Sequence, residues 1–259
     1  MKHALRILVA AACILFAACT TTTTGGTQLK SEQSESQKAS SLNKQLGTVY
    51  LRQGNLALAK EKLERAEKYN PRDPEIHSVL ALLYERLDIT KEADEQWRMA
   101  VRLAPKEPQI LNNYAVYLCR QGRTEEGVKR FLEAARNPLY RTPEAAYTNA
   151  GVCLRAAKRL DDASTTFQRA LQIHPNYTEA VYQSADLDFE RGRLAEGREQ
   201  VDKYLTAFDA TPELLMLGIR LNRALGDHMA EEKYVRRLRV EFPGSEQFRS
   251  LSEPKRNPG

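Results

Sequence analysis

A period of 34 residues runs along most of the sequence and constrains the fold more than any other feature. It is marked by proline and glycine, the two residue types that most strongly punctuate secondary structure. The prolines are Pro71, Pro105, Pro175 and Pro243, and the glycines are Gly54, Gly122, Gly192 and Gly226. Within each set the spacings are 34 residues or twice that value, except for two additional residues before Pro175 and before Gly192. Both sets therefore indicate the same period and an insertion near Thr142.

Alignment on these markers gives the pattern of the tetratricopeptide repeat, in which two helices form one 34-residue unit. In the predicted second helices a small residue recurs, followed four positions later by a large apolar one on the same helix face. The small residues are Ala59, Ala93, Gly127, Ala163 and Gly197, and the large ones are Leu63, Trp97, Phe131, Phe167 and Val201. We predict an all-α solenoid of about six helix-turn-helix repeats forming a right-handed superhelix over residues 40–245. The predicted repeats are 40–73, 74–107, 108–141, 144–177, 178–211 and 212–245.

Composition and motif content argue against several classes of function. The 39 Lys and Arg residues are interspersed with 34 Asp and Glu residues, whereas nucleic-acid-binding proteins carry a clustered basic face. The sequence contains none of the common metal, phosphate-binding or hydrolase motifs. Its paired acids, at 125–126 and 161–162, fall at predicted helix starts, where acidic residues stabilise the helix. We expect no enzyme activity, no metal, no cofactor, no nucleic-acid partner and no small-molecule substrate.

The N-terminus has the pattern of an export signal. Lys2 and Arg6 precede an apolar run over residues 7–18. A run of this length suits a signal peptide and is too short for a mature membrane-spanning helix. Cys19 follows the run directly. We therefore predict a signal peptide at residues 1–18.

The residues around Cys19 resemble the lipobox of bacterial lipoproteins. The stretch LFAAC at 15–19 has an apolar residue, then small residues, then cysteine. In such proteins the nucleophilic thiol takes diacylglycerol and the chain is cut before it. The residue after the cysteine is Thr20 rather than Asp, which in lipoproteins implies export to the outer membrane. The resemblance implies a covalent lipid on Cys19 and a lipid-anchored protein on the periplasmic face of the outer membrane. An ordinary secretory leader with an incidental cysteine is the alternative.

Two segments flank the predicted repeats. Residues 20–39 are mainly Thr, Ser, Gln and charged residues, with too little apolar surface to offset the entropy of ordering. We predict a lipidated cysteine and a flexible Thr/Ser-rich tether at 19–39. Residues 246–259 are predicted to be a polar, basic tail.

Cys119 and Cys153 are the two cysteines outside the N-terminal segment. They fall in the first helices of neighbouring predicted repeats, on either side of the insertion, where adjacent first helices pack side by side. The compartment that the leader implies is oxidising. We predict a disulfide between them, and two buried free thiols are the alternative.

The first helices of tetratricopeptide repeats line a groove that binds partners. In the first three repeats the groove-facing positions include an apolar track flanked by arginines, and asparagines that can bind a peptide backbone. The predicted groove residues are Lys44, Thr48, Leu51, Leu82, Arg86, Asn112, Asn113, Val116 and Arg120. Isolated apolar residues are also ordinary on protein surfaces, so a surface without a binding role remains open.

Several stretches together resemble the PilF/PilW family of type IV pilus biogenesis lipoproteins, the secretin pilotins. They are LNNYA at 111–115, FLEAA at 131–135 with PLY at 138–140, NAGVC at 149–153 and LLMLGIRL at 214–221. The resemblance spans the leader and residues 40–250. It implies an outer-membrane assembly factor that promotes localisation and multimerisation of the pilus secretin. The implied partners are a secretin subunit and, through the lipid, the outer membrane.

An alternative function has the same lipid anchor and the same fold but a different partner. A periplasmic repeat lipoprotein could serve as a scaffold for outer-membrane protein assembly or for cell-wall enzymes. A cell-wall hydrolase would need a pair of acids projecting into the groove, which the sequence does not offer.

Overall fold

A computed structural model describes residues 24–252 of the chain, with side chains described over residues 34–251. Cys19 and the predicted signal peptide lie outside the described residues. Every element in the described part is a helix. The helices are α1 (Thr24–Arg52), α2 (Leu56–Tyr69), α3 (Pro74–Arg86), α4 (Thr90–Leu103), α5 (Pro108–Arg120), α6 (Thr124–Ala135), α7 (Pro143–Ala156), α8 (Leu160–Ile173), α9 (Thr178–Glu190), α10 (Leu194–Ala207), α11 (Pro212–Leu225), α12 (His228–Glu241) and α13 (Glu246–Ser252). The predicted all-α fold of helical hairpins is confirmed.

The chain divides at Pro71 into two compact units. In the first unit α1 and α2 form a hairpin around Ala59, Leu63 and Ala66, which are fully buried. These three side chains lie on one face of α2 because their spacing matches the helical period. The first unit is therefore one helical hairpin with a small apolar core.

Helix α1 begins earlier than the sequence predicts. The stretch 24–39, predicted to be part of a flexible tether, is helical. Its Gln, Glu, Lys and Ala residues have a high intrinsic preference for helix. The hydroxyl of Ser36 donates to the carbonyl of Tyr69 at 3.1 Å, and that of Ser40 donates to the carbonyl of Ala66 at 2.9 Å. These bonds fasten the middle of α1 to α2.

The second unit, from Arg72, holds five hairpins and a terminal helix. The hairpins are α3–α4, α5–α6, α7–α8, α9–α10 and α11–α12. Four of them begin with a proline, at Pro74, Pro108, Pro143 and Pro212. Proline suits the first turn of a helix because its missing N–H has no partner there in any case.

Neighbouring hairpins of the second unit share apolar cores. Trp97 of α4 stacks on Tyr114 of α5, with ring centroids 6.1 Å apart. Phe131 of α6 lies in one cluster with Ala146 and Ala150 of α7. Each hairpin thus buries an apolar face that it could not bury alone, which is how repeat proteins gain their stability.

The turn inside each of the six hairpins has one backbone conformation. One residue in each turn has a φ between 57° and 77°; these residues are 54, 88, 122, 158, 192 and 226. Four of these residues are glycine, which adopts positive φ readily, and the others are Asp88 and Lys158. The successive spacings are 34, 34, 36, 34 and 34 residues. The two additional residues therefore lie between the third and the fourth turn.

Helix α13 departs from the prediction of a polar tail over 246–259. Residues 246–252 are helical, and Phe248 and Leu251 pack against the apolar cluster around α11. Their spacing of three residues places both side chains on one face of the short helix. The C-terminal hairpin is thereby covered by one more amphipathic element.

Candidate partner-binding site

The first helices of the five hairpins in the second unit, α3, α5, α7, α9 and α11, present equivalent residues once per repeat. These residues are Leu82, Val116, Val152, Asp186 and Arg220, separated by 34, 36, 34 and 34 residues. Side-chain bonds join each of these helices to the next. We call the surface that these five helices form the A-face.

The N-terminal half of the A-face is apolar along its centre. Leu82 and Val152 are 37% and 39% exposed, and Val116 between them is half-buried. Arg86 and Arg120 are exposed beside this row. Arg120 lies 3.4 Å from Glu85 and so joins α5 to α3. This half therefore combines an accessible apolar row with exposed positive charge.

A row of asparagine amides crosses from α5 to α7. Asn149 Nδ2 donates to Asn112 Oδ1 at 3.2 Å, and Asn112 Nδ2 donates to Asn113 Oδ1 at 3.4 Å. Each amide group has two donor hydrogens and an oxygen with two lone pairs. These bonds leave donor and acceptor capacity free on all three side chains. The row can therefore bind the backbone of an extended peptide.

The C-terminal half of the A-face is a charged network. Arg155 of α7 donates to Asp186 of α9 at 2.8 Å and to Glu190 at 2.8 Å. Arg220 of α11 reaches the other oxygen of Asp186 at 3.1 Å and lies 4.4 Å from the ring centre of Phe189. Burial disfavours the charged form of Arg155, but its bonds to Asp186 and Glu190 outweigh this effect and raise its pKa. The charges in this half are paired with one another and hold three helices together.

A disulfide joins Cys119 of α5 to Cys153 of α7, with the Cα atoms 5.7 Å apart. The bridge spans 34 residues of sequence that include α6 and the insertion. It links the helix that carries Asn112 and Val116 to the helix that carries Asn149 and Val152, so it fixes α5 and α7 of the A-face relative to each other.

Known families match most of the repeat region. Two family models, both described as tetratricopeptide repeat, match residues 44–108 and 115–178 and residues 154–218. The chain is a tetratricopeptide-repeat protein. The A-face is thus the surface made by the first helices of consecutive repeats.

Several proteins similar to this chain are factors of type IV pilus assembly. The type IV pilus assembly protein PilF of Pseudomonas aeruginosa is 29% identical over 211 residues, which is 82% of this chain and 84% of that one. The crystal structure of PilW, described as a widely conserved type IV pilus biogenesis factor, superposes with a TM-score of 0.67 at 28% identity. It covers 83% of this chain and 98% of PilW. The structure of Pseudomonas aeruginosa PilF gives a TM-score of 0.66 at 28% identity and covers 84% and 98%. The resemblance to the PilF and PilW factors is therefore confirmed.

The predicted groove residues divide between the two units of this repeat protein. Six of them lie on the A-face, namely Leu82, Arg86, Asn112, Asn113, Val116 and Arg120. Lys44, Thr48 and Leu51 belong to the first unit. Leu51 is only 7% exposed, so its prediction as a groove residue is wrong; it is part of the core. The hydroxyl of Thr48 donates to the carbonyl of Lys44 at 2.8 Å, one turn back along α1.

Sequence reasoning missed the part of the A-face beyond the third repeat. Val152 continues the apolar row, Asn149 extends the amide row, and Asp186 with Arg220 forms the centre of the charged network. All four positions follow from stepping the same pattern by 34 or 36 residues. The repeat period was therefore enough to predict that these four residues lie on the A-face, but it did not predict the bonds between their side chains.

The acidic pairs that the sequence places at helix starts are bound to arginines. Asp161 contacts Arg191 at 2.5 Å, and Glu126 contacts Arg123 at 2.7 Å. Among the described residues no group of three or more His, Cys, Asp or Glu is arranged to hold a metal ion. None of the helices in that part of the chain is long and apolar enough to cross a membrane.

Proposed function

We propose that this chain is a non-enzymatic, lipid-anchored assembly factor of the outer membrane that promotes the localisation and multimerisation of a type IV pilus secretin. Its similarity to PilF and PilW supports the pilus system. The lipobox-like sequence before Cys19 supports the anchor. The open N-terminal half of the A-face is the observation that carries the binding part of the proposal.

The A-face suits an extended protein segment. Apolar side chains of such a segment lie against Leu82 and Val152, and its backbone amides and carbonyls bond to Asn112 and its neighbours. The exposed Arg86 favours acidic residues in the same segment, since opposite charges raise the association rate and specify orientation. The expected ligand is therefore a secretin segment with alternating apolar and acidic character.

In this proposal, lipidation raises the effective concentration of the bound secretin subunits. Acyl chains on Cys19 anchor the chain, because each buried CH₂ adds about 0.8 kcal/mol. Two secretin subunits held at one membrane surface meet at a higher effective concentration than in solution. Multimerisation then follows from mass action.

The test measures the oligomeric state and the membrane fraction of the pilus secretin in cells. The strains lack this protein, or carry the wild type, Cys19→Ala, Leu82→Glu with Val152→Glu, or the control Leu139→Glu. Both A-face residues are partly exposed and Leu139 is 83% exposed, so the fold tolerates the new charges. We expect loss of multimers in the deletion and in the A-face variant, mislocalised secretin with Cys19→Ala, and wild-type behaviour for the control.

Unchanged secretin multimers in the deletion strain would show that the pilus proposal is wrong. Unchanged multimers in the A-face variant alone would place the secretin contact on another surface. If instead general outer-membrane protein assembly or cell-wall enzymes fail in the deletion strain, the chain is a scaffold for those partners.

A further inference from the structure

The outer surface of α12 carries a row of exposed apolar and basic side chains. Met229, Lys233, Arg236 and Val240 follow one another at intervals of four, three and four residues, so they lie along one stripe of the helix. Met229 is 86% exposed and Val240 is 73% exposed. Arg239 is exposed at the edge of the stripe. We call these five residues the α12 ridge.

The basic residues of the α12 ridge differ from their neighbours on the same helix. Arg237 is bound to Glu241 at 2.7 Å, whereas Lys233, Arg236 and Arg239 make no ion pair within the described part of the chain. The one acidic residue beside the stripe is Glu232, which is also exposed. The α12 ridge therefore carries an excess of uncompensated positive charge between two exposed apolar residues.

The arrangement of the α12 ridge indicates the kind of partner. Its end residues are 11 positions apart, which is roughly 16 Å along a helix. A second copy of the chain would bring positive charge against positive charge. A flat anionic surface instead meets all three cations at once and accepts apolar side chains at both ends.

We propose that the α12 ridge docks on the anionic phospholipid surface of the membrane. Lys233, Arg236 and Arg239 lie at the headgroups, and Met229 and Val240 enter the interface. Each basic residue near such a surface strengthens attachment by about five-fold, so three give on the order of 100-fold. Such attachment is weak for a free protein. For a chain anchored through Cys19 it is enough to orient the C-terminal repeat towards the membrane, and in this respect the inference rests on the proposed anchor.

The experiment uses the full lipidated chain, purified from membranes and reconstituted into vesicles. An environment-sensitive fluorophore is attached at Met229→Cys, or at Leu139→Cys as the control probe, while Cys119 and Cys153 remain bonded. One set of vesicles is phosphatidylcholine alone, and in the other phosphatidylglycerol replaces about a third of it. We expect a blue shift of the α12 probe only with phosphatidylglycerol. High salt should reverse it, because the screening length falls from about 10 Å at 0.1 M to about 3 Å at 1 M.

Matched variants separate the ridge from charge in general. Lys233→Gln, Arg236→Gln and Arg239→Gln together should abolish the shift, and Arg237→Gln should retain it. An α12 probe that reports the same environment in both vesicles, or a shift that survives the triple substitution, overturns the proposal. The assay contains no secretin, so its failure would leave the secretin part of the proposed function standing, and failure of the secretin experiment would not affect this result.

Discussion

Gly127 faces the sulfur of Cys119 so closely that no side chain fits between them. A Cβ atom on residue 127 would lie 2.5 Å from Cys119 Sγ and 3.1 Å from the carbonyl oxygen of Ala115. The aligned second-helix positions of neighbouring repeats carry alanine, at Ala93 and Ala163. The third repeat differs because the disulfide sulfur occupies the space that the methyl group would fill.

This contact predicts that the cost of Gly127→Ala depends on the disulfide. Gly127→Ala should lower the free energy of unfolding by about 1–3 kcal/mol, because the bonded sulfur cannot move aside and the core is overpacked. In a background with Cys119→Ala and Cys153→Ala the same substitution should cost at least about 1 kcal/mol less, since the sulfur is gone. Urea unfolding of the four proteins without reductant measures the coupling. Equal costs in both backgrounds would mean that the carbonyl of Ala115, not the sulfur, sets the limit.

The turn at Lys158 predicts a stabilising substitution. Lys158 has a φ of 62° where four of the other hairpin turns carry glycine. Left-handed backbone costs a side-chain-bearing residue about 1–2 kcal/mol, and the higher entropy of unfolded glycine offsets part of this. Lys158→Gly should therefore raise the free energy of unfolding by about 0.5–1 kcal/mol. The reciprocal substitution Gly192→Lys should lower it, as thermal or urea unfolding will show. If Lys158→Gly instead destabilises the protein, the ion pair between Lys158 and Glu190, 3.7 Å apart, contributes more stability than the left-handed backbone costs.

The period was sufficient to predict the hairpins but not every residue that forms their turns. Glycine marks four of the turns in the sequence. Asp88 and Lys158 adopt the same positive-φ conformation, although neither residue is a glycine. Surrounding helices impose that backbone, and local propensity does not reveal it. The same reason explains α1, where a stretch of low apolar content is helical and bound to α2 through Ser36 and Ser40.

The A-face was predictable in position and only partly in chemistry. Leu82, Val116, Asn112 and Arg120 follow from the repeat alignment because the helical period determines which residues share a face. Leu51 did not follow, since burial depends on what packs over a residue as well as on its place in the helix. The bonds of Arg155 depend on side-chain conformations for which the sequence contains no pattern.

The buried carboxylate of Asp188 in the fifth repeat predicts that its removal lowers stability strongly, and that a second substitution can compensate for part of the loss. Asp188 is 6% exposed, at a position where the repeat pattern expects an apolar residue. It accepts hydrogen bonds from Arg193 and from Gln200, the latter at 2.6 Å. Asp188→Ala should lower the free energy of unfolding by about 2–3 kcal/mol, because both donors lose their partner and Arg193 is only partly exposed.

Replacement of both partners tests that explanation. Asp188→Leu combined with Arg193→Met should recover part of the loss, since an apolar pair can substitute for a buried ion pair, while the Gln200 amide that donated to Asp188 still lacks an acceptor. Asp162→Ala is the control, because its pair with Arg159 is 54% and 46% exposed and should contribute no more than about 1 kcal/mol. If the double variant remains as unstable as Asp188→Ala, the carboxylate has a role in packing that leucine cannot replace.

Tyr234 predicts how stability changes at alkaline pH. Burial raises the pKa of its phenol well above the usual 10.0, and the hydrogen bond that it donates to Asp202 raises it further. Above the usual pKa the unfolded chain loses the proton while the folded chain keeps it, so stability falls as pH rises. The contribution of Tyr234 is complete below pH 10 and is lost above it, at up to about 1.4 kcal/mol per pH unit.

Tyr234→Phe should therefore destabilise the protein more near neutral pH than at alkaline pH. Near neutral pH the variant loses the bond to Asp202 and should be less stable by about 1–2 kcal/mol. Between about pH 9 and pH 11 its free energy of unfolding should fall less steeply than that of the wild type, so the difference between the two proteins narrows. Urea unfolding across this range measures both slopes. Parallel curves would show that the phenol of Tyr234 ionises equally in the folded and unfolded chains, and that burial by α10 and α11 does not retain its proton.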